Sequence, residues 1–405
     1  RLIVVSAGNL DLGVRHEYPT RNQVEGIEDP AQSWNCLTVG AFTDRTTIHE
    51  PGYDGWEVIA PSGRLSPASR TSRVWNDKSW PLKPDIVMEG GNNAIDPSTN
   101  RADYVDDLSL MTTRVDPTGA VLTTTGDTSA ATALAARYAA LIWAQYPNLW
   151  PETVRAILVH SARWTDAMMN EFPGNSLADR ESRLRCYGYG VPNLSRALAS
   201  LANAATLVIQ DRLQPFHKAE DDRIKTKDMH LHQLPWPTQV LRELGELQVR
   251  MRVTLSYFIE PSPGRRGWTR KHRYQSHGLR FEVKRPHETD VDFHKRINRA
   301  AREEEEQDAS FGSDDRNWAI GSRLRVKGSI HSDTWTGTAA ELADCGVIAV
   351  FPVTGWWKER GHLNRWNSQA RYSLIVTIET DSPDVDVYTP IANQVGVPVE
   401  NIIET

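Results

Sequence analysis

The eighteen residues from Ser129 to Tyr146 contain eight alanines, together with Leu134, Leu141 and Ile142. Such a stretch is helical, because alanine gives up no side-chain entropy in a helix. Its small side chains let another layer approach closely, so the helix is expected to be buried. Thr128 is the expected N-cap, and Pro147 stands just past the end. A second helix is expected from Pro151, since proline at the first helical position lacks only an N–H that had no helical partner. Val154, Ile157, Leu158 and Ser161 mark its buried side. A third helix is expected from Leu194 to Asn203.

Short apolar runs precede these helices. Leu2–Val5 leads into Ser6-Ala7-Gly8-Asn9, and Cys36–Ala41 forms a second run. Val58–Pro61 and Pro84–Val87 are shorter. Runs ending at glycine or proline suit buried parallel strands that meet loops. Gly90–Pro117 is rich in Asn, Asp, Ser and Thr and reads as loop. Strands alternating with helices predict an α/β layered domain.

Near residue 205 the period changes. Leu247, Val249, Met251, Val253, Leu255 and Tyr257 alternate with polar residues, which predicts a half-buried strand. Leu279/Phe281/Val283, Leu324/Val326, Val347/Ala349/Phe351 and Leu374/Val376/Ile378 repeat the alternation. A charged stretch, Phe293–Glu306, is the one long helical pattern, and its acidic run Glu303–Glu306 reads as a solvated helix face or loop. The second part is therefore expected to be an antiparallel β-sandwich. At 405 residues two or three domains are expected, and the boundary is placed between 204 and 205. The full expectation is α/β, a partial parallel-sheet domain over 1–204 followed by an antiparallel sandwich domain over 205–405.

Composition excludes several classes. Hydrophobic residues are 39% and charged residues 24%, as in ordinary globular chains. A net charge of −6 argues against a nucleic-acid partner. No apolar run reaches the ~18 residues of a membrane span, so no membrane partner is expected. Three separated cysteines, Cys36, Cys186 and Cys345, argue against a disulfide scaffold and for a reducing, cytoplasmic location. The chain begins Arg1-Leu2-Ile3-Val4-Val5, which reads as a strand already under way inside a domain.

The chemistry-bearing segment is Thr125-Gly126-Asp127-Thr128-Ser129-Ala130. A serine in the first turn of a helix lies where unpaired N–H groups and the helix dipole favour developing negative charge. The plain alternative is a helix cap. Asn9, after a buried strand, carries an amide that can donate to an oxyanion, or is an ordinary turn residue.

Together these segments resemble the subtilisin-like serine peptidases, or subtilases. That family carries an Ala-Gly-Asn turn followed by Gly-Thr-Ser-x-Ala-x-Pro. Leu37–Ala41, Ile59–Gly63, Lys83–Val87, Pro151–Ala162 and Gly188–Asn193 resemble further family segments, in order. The resemblance covers residues 1–200. It implies that Ser129 is the nucleophile, that Asn9 and the Ser129 N–H bind the oxyanion, and that a protein or peptide is the substrate. It implies no cofactor. Sedolisins use an oxyanion Asp, so Asn9 favours the subtilases. Two positions depart from the pattern: Asp127 replaces a glycine and Ala133 a proline. Ala133 is similar to a cytosolic-type branch, in which an ATPase partner is conceivable.

In the family the triad Asp and His precede the oxyanion Asn. With Asn9 ninth in the chain, the triad Asp and His are expected to lie outside these residues. Asp11-Leu12-Gly13, His16, His49, His160 and His277-Gly278 are the nearest substitutes by type, and none fits the order. The expectation is a serine endopeptidase fragment, with a catalytically inactive binding module as the alternative. His230-Leu231-His232 puts two imidazoles on one strand face. With no third ligand nearby in sequence, they are expected to be exposed and to hold no metal. Trp318, Trp335, Trp356, Trp357 and Trp366 are expected to fill the core, and Gly355–Lys358 is the candidate partner patch.

Overall fold

The computed structural model describes residues 1–75, 80–116, 119–202, 206–234, 236–263, 274–305, 317–380 and 400–404, with side chains left aside at 201–202, 302–305 and 400–404. The chain divides into two compact units, Arg1–Leu194 and Ser195–Thr405. The expected boundary at 204/205, and Glu306 of the charged stretch, lie outside the described residues.

In the first unit the strand Leu37–Thr43 is central and buried along its whole length. Val4–Ser6 and Ile86–Glu89 pair with it in parallel, and Arg64–Leu65 pairs antiparallel with its end. The helix Asp127–Gln145 packs on the three parallel strands. Its contact stripe is Thr128, Ala131, Ala135, Ala139 and Ile142, spaced at three and four residues. Ala133, Ala136, Ala140, Leu141 and Ala144 face outward and are exposed. The helix is thus buried on one side, not throughout as the alanine run predicts. The helix Pro151–Ser161 differs the other way: every residue from Glu152 to Ser161 is buried. Gly90–Pro117, expected as loop, holds the short strands Ala94–Asp96, Arg101–Asp103 and Leu110–Thr113.

Polar groups tie the parallel strands together. Lys83 Nζ donates to Asp85 Oδ2 at 2.7 Å and to the Cys36 carbonyl at 2.9 Å, and the Thr38 N–H donates to the same Asp85 oxygen at 2.7 Å. Both charged side chains are almost wholly buried, 1% and 3% exposed. Burial pushes the Lys83 ammonium below its ordinary value, and Asp85 pulls it back up. The turn at Gly190 is tied to the start of the strand Ile86–Glu89, where the Tyr189 N–H donates to the Asp85 carbonyl at 2.8 Å and the Val87 N–H donates to the Gly190 carbonyl at 3.0 Å. Gly190 has φ +97°, and a Cβ there would meet the Arg163 carbonyl at 2.3 Å, so only glycine fits.

The second unit contains two antiparallel four-stranded sheets. One runs Thr206–Leu213, Ala370–Thr380, Gln248–Tyr257, Ile330–Thr338. The other runs Gly278–Val283, Val347–Val353, Asp228–Gln233, Glu400–Glu404. The strand Gln248–Tyr257 lies inside its sheet and is buried on both faces, whereas its alternation predicts one. On its polar side the Thr254 and Ser332 hydroxyls bond across strands at 2.7 Å. Leu324 lies in a short helix, Ser322–Arg325, with Val326 as its C-cap, and not in a strand. The charged stretch is a helix, Asp290–Glu305, whose Phe293 and Ile297 pack against the second sheet. Trp356 and Trp357 are buried and donate to Glu260, which removes Gly355–Lys358 as a partner patch.

His277 is buried, stacked on Trp357 at 4.8 Å, and burial pushes its imidazole down to about 3. Its Nε2 has no hydrogen-bond partner. A histidine held neutral by the fold contributes stability that is complete above its unfolded value near 6.5 and is lost as pH falls toward 3. Urea unfolding between pH 6 and 4 should therefore show a loss of about 1.4 kcal/mol per pH unit from this residue. His277→Phe should remove that share of the slope. Asp85→Ala strands a buried ammonium and should lower unfolding free energy by about 3–5 kcal/mol. Urea titration at neutral pH measures it.

Candidate functional site

Asn9 follows the strand Val4–Ser6 through a turn at Gly8, whose φ of +98° favours glycine. The segment Ala68–Arg70 pins this turn. The Leu10 N–H donates to the Ala68 carbonyl at 2.8 Å, Asn9 bridges Ser69, and Arg70 Nε donates to the Asn9 carbonyl at 3.0 Å. The Asn9 backbone is therefore held on both sides.

Its side chain is held as well. The Thr128 N–H donates to Asn9 Oδ1 at 3.1 Å, and the Thr128 hydroxyl donates to the same atom at 2.5 Å. A backbone N–H can only donate, so the atom facing it must be the amide oxygen. Asn9 Nδ2 is turned away from this contact and has no partner among the described residues.

The helix Asp127–Gln145 begins with Gly126 as N-cap and no side-chain cap. Thr128, expected as the cap, is engaged by Asn9 instead. Ser129 does not cap either. It is exposed, and neither its hydroxyl nor its N–H has a hydrogen-bond partner among the described residues. Two unspent donors, Asn9 Nδ2 and the Ser129 N–H, thus accompany an unbonded hydroxyl at the positive end of a 19-residue helix. Such an arrangement can stabilise an oxyanion. Among the described residues no base joins it, and a free serine hydroxyl is a weak nucleophile.

None of the substitutes supplies one. Asp11 caps its own short 3-10 helix by accepting from the Gly13 N–H. His16 and His49 are exposed, and His160 is buried in the helix Pro151–Ser161. His277 is buried and stacked on Trp357. No imidazole or carboxylate bonds Ser129 among the described residues.

Asp127 has partners that are invisible in the local sequence. Arg15, 2% exposed, makes two parallel bonds to its carboxylate at 2.8 and 2.7 Å. The Tyr104 hydroxyl donates to it at 3.0 Å. Arg15 also donates to Asn93 Oδ1 and the Leu10 carbonyl, the residue after Asn9. The acidic group two positions before Ser129 is therefore neutralised by a fork–fork pair. Its backbone has φ +63°, a conformation glycine adopts without cost and aspartate with a modest one. The only local signal for this network was Asp127 itself.

His230 and His232 are buried, contrary to the exposed pair expected from sequence, and a carboxylate lies beside them. Asp211 Oδ2 is 2.7 Å from His230 Nδ1.

Residues 1–190 match the model of the subtilase family. No curated protein matches the chain. Among solved structures, MycP1 with its N-terminal propeptide removed aligns with 49% of this chain and 50% of its own length, at 18% identity and a TM-score of 0.24. The chain thus spans about half of that protein, and a likeness so slight has no bearing on mechanism.

Arg15→Ala would leave the Asp127 carboxylate half-enclosed without its cation. Loss of about 3 kcal/mol in urea unfolding is expected. Asp127→Gly in the same chain should recover at least about 1 kcal/mol of it, since the two residues act as one unit. Additive losses in the double variant would mean that the pair is not coupled.

Proposed function

We propose, with residues 1–190 belonging to the subtilase family, that the protein is a serine endopeptidase whose nucleophile is Ser129. Ser129 Oγ attacks the scissile carbonyl of a protein or peptide. Asn9 Nδ2 and the Ser129 N–H receive the oxyanion, the amine leaves, and water releases the acyl group from Ser129. The observation that carries this reading is the pairing of Asn9 Oδ1 with Thr128. It spends one end of the amide on anchorage and leaves the other end free beside an exposed, unbonded serine.

The general base comes from residues outside this sequence. Two features support that part of the proposal. No described imidazole or carboxylate bonds Ser129. The outward face of the Ser129 helix is rich in small side chains, with Ala133, Ala136, Ala140 and Ala144 exposed beside Arg137, Leu141 and Gln145. A helix with alanine on both sides suits close packing on both sides.

A fluorophosphonate probe tests both parts. The 405-residue chain should label at Ser129 slowly, and a chain extended upstream at least about 100-fold faster, which is the contribution expected of a positioned base. Equal rates would show that no base is missing. An extended chain that binds peptide but leaves Ser129 unlabelled would favour the inactive binding module.

A further inference from the structure

The strand Asp228–Gln233 places Met229 and Leu231 on one face and His230 and His232 on the other. Met229 and Leu231 are accounted for: they pack with Phe293, Ile297 and Phe351. The two histidines are not. They turn toward the other sheet, into a layer that apolar side chains normally fill, and are 6% and 8% exposed. There they meet Tyr372, itself fully buried, and Asp211, its cross-strand partner.

The polar atoms converge on one point. His230 Nδ1 and His232 Nε2 each lie 2.8 Å from the Tyr372 hydroxyl oxygen. Asp211 Oδ2 lies 3.3 Å from that oxygen and 2.7 Å from His230 Nδ1. The ligand atoms of Asp211, His230 and His232 all fall within 4.8 Å of one another. The groups come from three strands and both sheets.

We propose that this cluster is a binding site for a zinc-class divalent transition metal, with His230 Nδ1, His232 Nε2 and the Asp211 carboxylate as ligands and the Tyr372 oxygen as the fourth donor. The donor set suits such an ion. Neutral imidazole and carboxylate are its usual nitrogen and oxygen ligands, and two imidazoles with one carboxylate are a recurrent first shell. Magnesium and calcium prefer all-oxygen shells. The dimensions are close. Ligands of a tetrahedral zinc with bonds of about 2.1 Å stand about 3.4 Å apart. Four of the separations here are 2.7, 2.8, 2.8 and 3.3 Å. Small side-chain rotations then reach the metal geometry, with the strands held in register by their ladders. Asp211, whose side chain is 33% exposed, gives the ion an entrance. Asp211 binds as the carboxylate, His230 binds through Nδ1 with its proton carried on Nε2, and Tyr372 binds through a lone pair of its hydroxyl oxygen, so each ligand reaches the ion in its neutral or carboxylate form.

Calorimetric titration of the chelator-stripped 405-residue chain with Zn²⁺ at neutral pH should give one equivalent bound. Co²⁺ in its place should give the intense visible bands of four coordination. His232→Gln and Asp211→Asn should each weaken zinc binding by at least roughly 10- to 100-fold, in chains whose folding is checked by circular dichroism. Absence of uptake by the folded wild type would overturn the proposal. So would unchanged uptake in a His230→Gln/His232→Gln chain, which would place the ion elsewhere. If the variants do not fold, the wild-type Co²⁺ spectrum decides: four-coordinate bands support the site and weak six-coordinate bands overturn it.

Discussion

Asn9 Oδ1 accepts both donors of Thr128 across 119 residues of chain, and much of the first unit serves to let it do so. The strand Val4–Ser6 must end beside the start of the helix Asp127–Gln145. That requires both elements to pack on the parallel strand Leu37–Thr43, which they do. The alanines of the contact stripe keep the helix close enough for a short amide to reach. A leucine at Ala131 or Ala135 would lift the first turn away from the strand end, since neither position has exposed room to accommodate it. The anchor is a pair of bonds to one oxygen, and its consequence lies at the other end of the amide, where a nitrogen with two donors remains unspent.

Charge near this anchor is arranged so that it does not reach Ser129. Asp127 begins the helix, where a carboxylate is favoured by the dipole, and its two oxygens are taken by Arg15 and Tyr104. Arg15 also holds the Leu10 carbonyl, so the same guanidinium braces the turn that carries Asn9. One cation thereby links the residue after the oxyanion candidate to the residue two before the nucleophile candidate. The departure of Asp127 from the family's glycine is accompanied by a buried partner, which is how a charged group is normally retained inside a fold.

The local patterns were readable where structure depends on neighbours in sequence. The alternation at Leu247–Tyr257 and the alanine run each led to the right element, because period and propensity are local properties. Ser129 and Asn9 could be singled out for the same reason. The burial of these elements was not readable. Arg252, Thr254 and Ser256 look like a solvated face, yet each is buried. The helix Leu177–Tyr187 went unseen because its arginines break the apolar pattern. Arg183 lies over the Trp164 ring at 5.0 Å and Arg185 pairs with Glu181 at 2.9 Å, partners that the apolar pattern does not show. Arg15 stands 112 residues from Asp127, and no local signal links them. His230 and His232 were visible as a pair, but Tyr372 is more than a hundred residues away and Asp211 lies on another strand.

The sandwich carries a cost that its ladders alone do not explain. Its facing layer could have been closed with valine and isoleucine at four positions, as at Val350 and Ile348, the residues opposite His230 and His232 in the ladder. Instead it holds two imidazoles, a phenol and a carboxylate. Buried polar groups of this kind cost free energy unless every one is paired, and a partly satisfied network is worse than an apolar core. Each imidazole has a ring N–H to offer and the phenol an O–H, so protons can close the network: His230 Nδ1–H to Asp211, His232 Nε2–H to the Tyr372 oxygen, and the Tyr372 hydroxyl to Asp211. A divalent ion would take the place of those protons and draw on the same lone pairs. Nitrogen and oxygen donors that converge this closely inside an apolar layer are therefore as well placed to hold an ion as to hold protons.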